Sequence, residues 1–269
     1  RPIELFGSVL CRDAMIIALS HTSETVRSVA DYLGARGYGE SEIIALCNMG
    51  GPNETRMSGT AARWPGVDSD FHTLAITCIA APGAALLPPI PGLPDDAFEH
   101  DGKMTKREVR AATLAKLMPM NGGLLWDVGA GSGSIGIEWL RADRRRAQAI
   151  AIEPIASRVE TIARNAAALG APQIDIRQAK APDIFDDLPD PGGGLSSKDV
   201  FAPAGARLKP GGRLVANAVT LESEAVLLSL WQENGGDLVR IAVNRAEPVG
   251  PYHGWRPLMP VTQWALVKS

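Results

Sequence analysis

The stretch LLWDVGAGSGSIGIEWL, Leu124 to Leu140, limits what this chain can fold into more than any other part of it. An apolar run ends in Asp127, four glycines follow within eight residues, and the apolar spacing then turns helical. Glycines between a strand and a helix let the backbone take left-handed conformations and bring amide N–H groups to a helix N-terminus, where they can face a ligand. Strand, tight turn and helix in that order predict an α/β unit with a mainly parallel sheet that binds its ligand beyond the carboxyl ends of the strands.

The same glycines satisfy two cofactor patterns. Gly129, Gly131 and Gly133 make the G-x-G-x-G of S-adenosylmethionine methyltransferases, and Gly131, Gly133 and Gly136 make the G-x-G-x-x-G of dinucleotide enzymes. Their surroundings separate them. A carboxylate at Asp127 repels a pyrophosphate but suits the ammonium and sulfonium of S-adenosylmethionine. Glu153, twenty residues after Gly133, can accept ribose hydroxyls in either case and does not discriminate. The balance favours S-adenosylmethionine over a nicotinamide cofactor, with a turn that serves only close packing as the third reading.

Around this turn, strands and helices alternate. TKREVRAATLAKL opens with Thr105 and Glu108 at capping-box spacing. AQAIAIE reads as a strand ending at Glu153, and IASRVETIARNAAALG lines up Ile155, Val159, Ile162, Ala166 and Leu169 before the stop at Gly170. QIDIRQA and RLVANAV are further strands, a helix is predicted from about Ser223 to Asn234, and LVRIAVN and TQWALVK close the sheet. Alternation also asks for a strand between QIDIRQA and RLVANAV, yet no apolar run lies between Ala181 and Gly212. Loss of a central strand would open the sheet, so the expectation is that residues are missing from the sequence as written.

Upstream, AAPGAALLPPIPGLPDDAF carries five prolines and two glycines and marks a linker. The expected division is a first α/β segment over 1–82, a linker over 83–97 and the main domain over 98–269. MIIALS, EIIALC and TLAITCIA read as strands of the first segment, and SETVRSVADYLGARG as a helix with Val26, Val29 and Leu33 on one face. A net charge of −3 gives no reason to expect nucleic acid or an anionic membrane as partner. Cys11, Cys47 and Cys78 have no paired spacing and are expected as reduced core thiols, with no metal site. No apolar run is long enough to span a membrane and no signal-like segment opens the chain, so a cytoplasmic protein is expected. The sequence opens at Arg1 rather than methionine, which suggests that residues precede it.

DGKMTKREVRAATLAKL, LLWDVGAGSGSIGIEW, AIEP, QAKAPDIF, GGGL and PGGRLVANAVTLESE together resemble the precorrin-6Y C(5,15)-methyltransferase (decarboxylating) family of cobalamin biosynthesis, from about Phe98 onward. The resemblance implies a class I, Rossmann-like methyltransferase domain with an antiparallel last strand. ALSHTSETVRSVADYLGARGYGESEIIALCNMGGPNETRMSGTA, with Gly50 to Glu54, is similar to the back lobe of that family's tetrapyrrole methylase domain. The front lobe is absent from this sequence, so an incomplete site is expected there, or a lobe that serves only assembly. In the family GGGL follows directly on a strand, which also speaks for missing residues.

The implied reaction is S-adenosylmethionine-dependent methylation of a precorrin at carbons 5 and 15, with decarboxylation of the ring C acetate to give precorrin-8, by a homo-oligomeric enzyme. Another small-molecule methyltransferase, or an NAD(P)-dependent oxidoreductase, is the alternative. The expected cofactor residues are Thr105, Asp127, Gly129, Ala130, Gly131, Gly133, Glu153, Pro154, Lys180 and Ala181. Lys106, Arg107 and Arg110 either clamp substrate carboxylates or form a solvated helix face. Gly193, Gly194, Leu195, Asn217 and Thr220 are expected to line the substrate cavity from loops after later strands. No residue stands out as a catalytic proton donor; the candidates are His100, Thr105, Lys106 and Arg107, while His21, His72 and His253 read as structural. Tyr252 and Trp255 can stack on a flat ring or anchor a loop.

Overall fold

The computed structural model describes residues 2–20, 22–143, 146–192 and 198–269. The chain divides into two compact units, Arg1–Pro89 and Ile90–Ser269, so the break falls inside the proline-rich segment.

In the first unit, β1 (Met15–Leu19), α1 (Ser23–Ala35), β2 (Glu42–Cys47), β3 (Thr55–Thr60) and β4 (His72–Thr77) form an antiparallel sheet in the order β1-β4-β2-β3 with one helix. Val26, Val29 and Leu33 of α1 are buried in one cluster with Ile43, Ala45, Leu74 and Ile76. The helix face read from the sequence is therefore the one that packs. β3 was not anticipated: most of its side chains are exposed, so it has no apolar alternation, and its pairing with β2 alone makes it a strand. Cys47 and Cys78 are buried free thiols and Cys11 is a partly buried one, and burial pushes the Cys78 thiol up to about 11.

The second unit runs α2 (Arg107–Leu117), β5 (Leu124–Val128), α3 (Ser134–Ala142), β6 (Gln148–Ile152), α4 (Ala156–Leu169), β7 (Asp175–Arg177), α5 (Lys198–Arg207), β8 (Arg213–Ala218), α6 (Leu221–Asn234), β9 (Asp237–Ile241), β10 (Asn244–Val249), β11 (Tyr252–Pro257) and β12 (Val261–Val267). β5, β6 and β7 form a parallel ladder. β12 lies antiparallel between β8 and β9. This is a Rossmann-like sheet with an antiparallel last strand. Its core on one face gathers Trp126, Val128, Ile150, Phe185, Leu214 and Trp264, with the Trp126 and Phe185 rings 4.7 Å apart.

Several local expectations change. Among the described residues no strand lies between β5 and β8. Gly192 alone crosses that position, its N–H donating to the Leu124 carbonyl at 2.7 Å and its carbonyl accepting from Arg213 N–H at 2.8 Å. The segment GPYHGWRP lies partly in β11 of the β10–β11 hairpin, so Tyr252 and Trp255 stand on a strand and not on a loop. Ile155 precedes α4 and is exposed, because the helix buries its stripe only from Ile162 onward. α5 was not anticipated; it carries Pro203 within it.

A buried ionic network ties the approach segment to the helices. Arg110 is fully buried on α2, and its Nε donates to Glu138 Oε1 on α3 at 2.6 Å. Its other nitrogens donate to Asp95, at 3.2 Å, and to the carbonyls of Thr105, at 2.7 Å, and Leu93. The Glu138 carboxylate also accepts from the backbone N–H groups of Gly92, at 2.6 Å, and Leu93, at 3.0 Å. Residues of the expected linker, from Gly92 to Asp95, are thereby part of the unit's structure. The capping box is not formed either: Lys106 is the N-cap of α2, without a side-chain cap, and Glu108 pairs with Arg245 at 3.0 Å. Breaking a buried, fully hydrogen-bonded pair leaves an uncompensated charge and costs about 3–5 kcal/mol. Glu138→Leu is therefore expected to lower unfolding stability in urea by that order, whereas removing the exposed Arg177–Asp175 pair should leave the midpoint unchanged within error.

Candidate active site

The glycine turn is built by close approach. Gly129 and Ala130 N–H both donate to the Ile152 carbonyl, at 2.9 and 3.2 Å, so the turn leaves β5 pinned to the end of β6. Gly131 and Gly133 sit at φ +59° and +77°, in the left-handed region that strains any residue with a Cβ. A Cβ on Gly133 would also lie 2.8 Å from Ile162 Cγ2. Gly136 has a different reason. Its N–H donates to Asp127 Oδ2 at 2.9 Å, and a Cβ there would meet Ile174 at 3.1 Å and that same carboxylate oxygen at 3.2 Å. Contact between α3 and β5 thus accounts for the third glycine of the dinucleotide pattern without a phosphate.

Against the turn lies a cavity of about 170 Å³. Its walls come from the strap before α2 (Lys103, Met104, Thr105), from α2 (Thr113, Leu117), from β5 and the turn (Leu125 to Ser132), from the start of α3 (Ser134, Ile135) and from β8 (Val215, Asn217). Asp127 Oδ1 takes no partner among the described residues. Burial pushes the Asp127 carboxyl up to about 7; the Gly136 N–H works against this shift and the Glu153 charge adds to it. The group is poised to ionise when a cation arrives. Ser132 Oγ, on the same wall, is buried with no partner. The wall fits a ligand with a cationic head: one carboxylate, and no Cβ at Gly129 and Gly131.

Glu153 is only 2% exposed, and both its oxygens are engaged, with Gly131 N–H at 2.9 Å and Ile155 N–H at 3.1 Å. A diol held there would replace the Gly131 contact. The strap over the turn is tied to α4: Asn165 accepts from Glu99 N–H at 2.8 Å and donates to the Glu99 and Ser132 carbonyls, each at 2.9 Å. Arg158 grips Asp101 at 2.7 Å. His100 lines a second, polar pocket on the α4 side of Gly131 and Ser132, where its Nδ1 accepts from Gly102 N–H at 2.9 Å. It is not among the residues lining the first cavity.

The cavity brings together Thr105, Asp127, Gly129, Ala130, Gly131 and Asn217. Other candidates stand apart from it. Arg110 spends its guanidinium on Glu138, Asp95 and two carbonyls, which removes it as a substrate clamp; its reach to the Thr105 carbonyl instead shapes the cavity's lip. Arg107 is exposed and Lys106 partly so, and neither has a carboxylate partner among the described residues. Pro154 and Lys180 are exposed, and Ala181 packs on the core beside Trp126. Thr220 is the N-cap of α6, in a capping box with Ser223. Tyr252 and Trp255 are each 76% exposed on the hairpin. Gly193, Gly194, Leu195 and His21 lie outside the described residues. Sequence reasoning missed Thr113, Leu117, Ser132 and Val215; a threonine four residues after Val109, on the apolar face of α2, was the available signal.

The sequence pattern of the precorrin methyltransferase domain matches residues 96–268. A relative from Sinorhizobium sp, precorrin-6Y C(5,15)-methyltransferase [decarboxylating], is 44% identical over the whole of this chain, which spans 66% of that protein's length. A probable cobalt-precorrin-6B C(15)-methyltransferase (decarboxylating) from Pyrobaculum calidifontis is 34% identical over 64% of this chain and 93% of its own. The crystal structure of the C-terminal domain of precorrin-6Y C5,15-methyltransferase from Rhodobacter capsulatus superposes with a TM-score of 0.63, at 43% identity, over 68% of this chain and all of that one. With the glycine turn, the buried Asp127 and the antiparallel last strand in place, the chain belongs to the precorrin methyltransferase domain family.

Proposed function

We propose that the second unit methylates a precorrin from S-adenosylmethionine and decarboxylates it, and that the protein serves the C5 and C15 methylations of precorrin-6Y with decarboxylation of the ring C acetate, which loses CO2 and becomes a methyl group, giving precorrin-8. The observation that carries this is Asp127, a carboxylate held on the wall of a cavity against the glycine turn, where Gly129 and Gly131 present backbone without a Cβ. A dinucleotide's pyrophosphate would meet the same carboxylate as a repulsive neighbour, which disfavours the oxidoreductase reading. The Pyrobaculum relative's name supports assigning C15 methylation and decarboxylation to the second unit. C5 methylation then falls to the first unit, whose back-lobe likeness is the reason for that assignment.

Bound S-adenosylmethionine supplies an electrophilic methyl, which passes to a nucleophilic carbon as the sulfur leaves as a neutral thioether. This chain's residues hold and orient. Asp127 would pair with the cofactor's ammonium, and Gly129 to Gly133 would let the backbone lie against its amino-acid end. Thr105, held through its carbonyl by Arg110, closes the cavity's outer lip. Lys106 and Arg107, at the start of α2, meet substrate carboxylates. The enamine-like carbons of a reduced tetrapyrrole are nucleophilic in themselves, so no strong base is needed. Positioning alone supplies about 7–11 kcal/mol of barrier lowering.

The Asp127 carboxyl is raised from its unfolded value, so its contribution to the empty fold is fully present below about pH 4 and is lost as pH rises through about 7. A bound cation favours the ionised form, and so affinity runs the other way. Calorimetric titration with S-adenosylhomocysteine should show affinity rising by up to about tenfold per pH unit below 7 and levelling above it, with a proton released on binding in the lower range. Asp127→Asn should bind about tenfold or more weakly at pH 8 and lose the pH dependence. Equal affinity in the two proteins, or tighter uptake of NADH than of S-adenosylhomocysteine, would remove the proposal. Arg107→Ala should raise KM for the precorrin about five- to tenfold while leaving cofactor affinity unchanged; an unchanged KM would show that the side chain only solvates the helix.

A further inference from the structure

Deeper in the same cavity wall, three polar side chains from three elements meet. Thr113 comes from α2, Asn217 from β8 and Gln263 from β12. Asn217 and Gln263 are direct partners in the antiparallel ladder, so their side chains share a face. Thr113 Oγ1 has one proton and donates it to the Val109 carbonyl at 2.8 Å. Toward its other neighbours it can only accept. It accepts from Asn217 Nδ2 at 3.0 Å and from Gln263 Nε2 at 3.0 Å. Gln263 Nε2 then gives its second proton to Asn217 Oδ1 at 2.9 Å.

With the Thr113 proton on the Val109 carbonyl, this orientation satisfies the most groups, since turning both amides over together keeps an amide–amide bond but sets both carbonyl oxygens against Thr113 Oγ1. Turning the Asn217 amide over would set Oδ1 against a hydroxyl with no proton left and Nδ2 against another amide's N–H groups. Turning Gln263 over would set Oε1 against Thr113 Oγ1 and Asn217 Oδ1. The fold tolerates a cost to keep this arrangement, because Gln263 is fully buried and its Oε1 has no partner among the described residues. What remains unclaimed is one N–H and one lone pair on Asn217, a partly exposed residue that lines the cavity beside Thr113.

We infer that Thr113 and Gln263 are positioning residues that lock the Asn217 amide so that its free N–H binds an acceptor oxygen of the methyl-accepting substrate, a carboxylate being the strongest such group. The inference rests on the methyltransferase reading for its substrate. The lock itself rests only on the donor and acceptor count.

The test compares wild type with Thr113→Val and Thr113→Ser in the full chain. Valine keeps the shape and removes the acceptor; serine keeps the hydroxyl. Thr113→Val should bind S-adenosylhomocysteine within about twofold of wild type while KM for the precorrin rises about tenfold, the worth of one charge-assisted hydrogen bond, and Thr113→Ser should return KM to near wild type. Adding Asn217→Ala to Thr113→Val should bring little further loss, since the residue is already out of position. An unchanged KM in Thr113→Val, or equal losses in the valine and serine variants, would overturn the inference. A wild type that neither binds S-adenosylhomocysteine nor methylates the precorrin would instead overturn the functional reading. The lock is then judged by hydrogen exchange of the Asn217 side-chain amide, assigned by its loss in Asn217→Ala: slow exchange in wild type and fast exchange in Thr113→Val uphold it, and equal exchange ends it.

Discussion

The distance at which α3 can pass over β5 governs the candidate site. A helix that packs at ordinary separation would leave the Asp127 carboxylate without the Gly136 amide. The turn amides would also stand away from the cavity. Glycine at 133 and 136 removes the side-chain atoms that would collide with Ile162, Ile174 and Asp127 itself, and the helix closes down until a backbone N–H reaches the carboxylate. Burial and that single N–H then act on Asp127 in opposite directions. Burial prevails, so the group is left close to neutrality's edge instead of as a permanent anion.

A second constraint concerns what surrounds the turn. Arg110 and Glu138 join α2 to α3 inside the unit, and through the backbone of Gly92, Leu93 and Thr105 they set the course of the segment that roofs the cavity. On the opposite side, among the described residues, Gly192 links β5 to β8 through its two backbone hydrogen bonds.

Much of this was legible in the residues. The glycine turn, the capping of α4 by Gly170 and the apolar face of α1 follow from local rules, and local rules survive folding because they act within one or two turns of chain. Elements that failed to show themselves lacked such a signal. β3 has exposed polar side chains, and the β10–β11 hairpin carries glycine, proline and charge where apolar alternation would be sought. Both exist because a neighbouring strand supplies hydrogen bonds. Thr105 and Glu108 had the spacing of a capping box, but the helix starts one residue later, with Lys106 as its N-cap, and Arg245, far along the chain, takes the Glu108 carboxylate.

Sequence alone determined that the chain is an α/β protein with a ligand-binding turn after Asp127, because positive φ and close packing leave glycine as the one residue type that serves there. Tertiary structure decided which charges are available. Arg107 and Arg110 lie three residues apart on one helix, yet one is exposed and the other is buried with every nitrogen engaged, since only the folded chain places Glu138 and the Leu93 and Thr105 carbonyls within its reach. It decided likewise that Asn217 faces the cavity in a single orientation: Thr113 and Gln263 approach it from α2 and β12, more than a hundred and about fifty residues away in the chain, and nothing local to Asn217 could have set which way its amide turns.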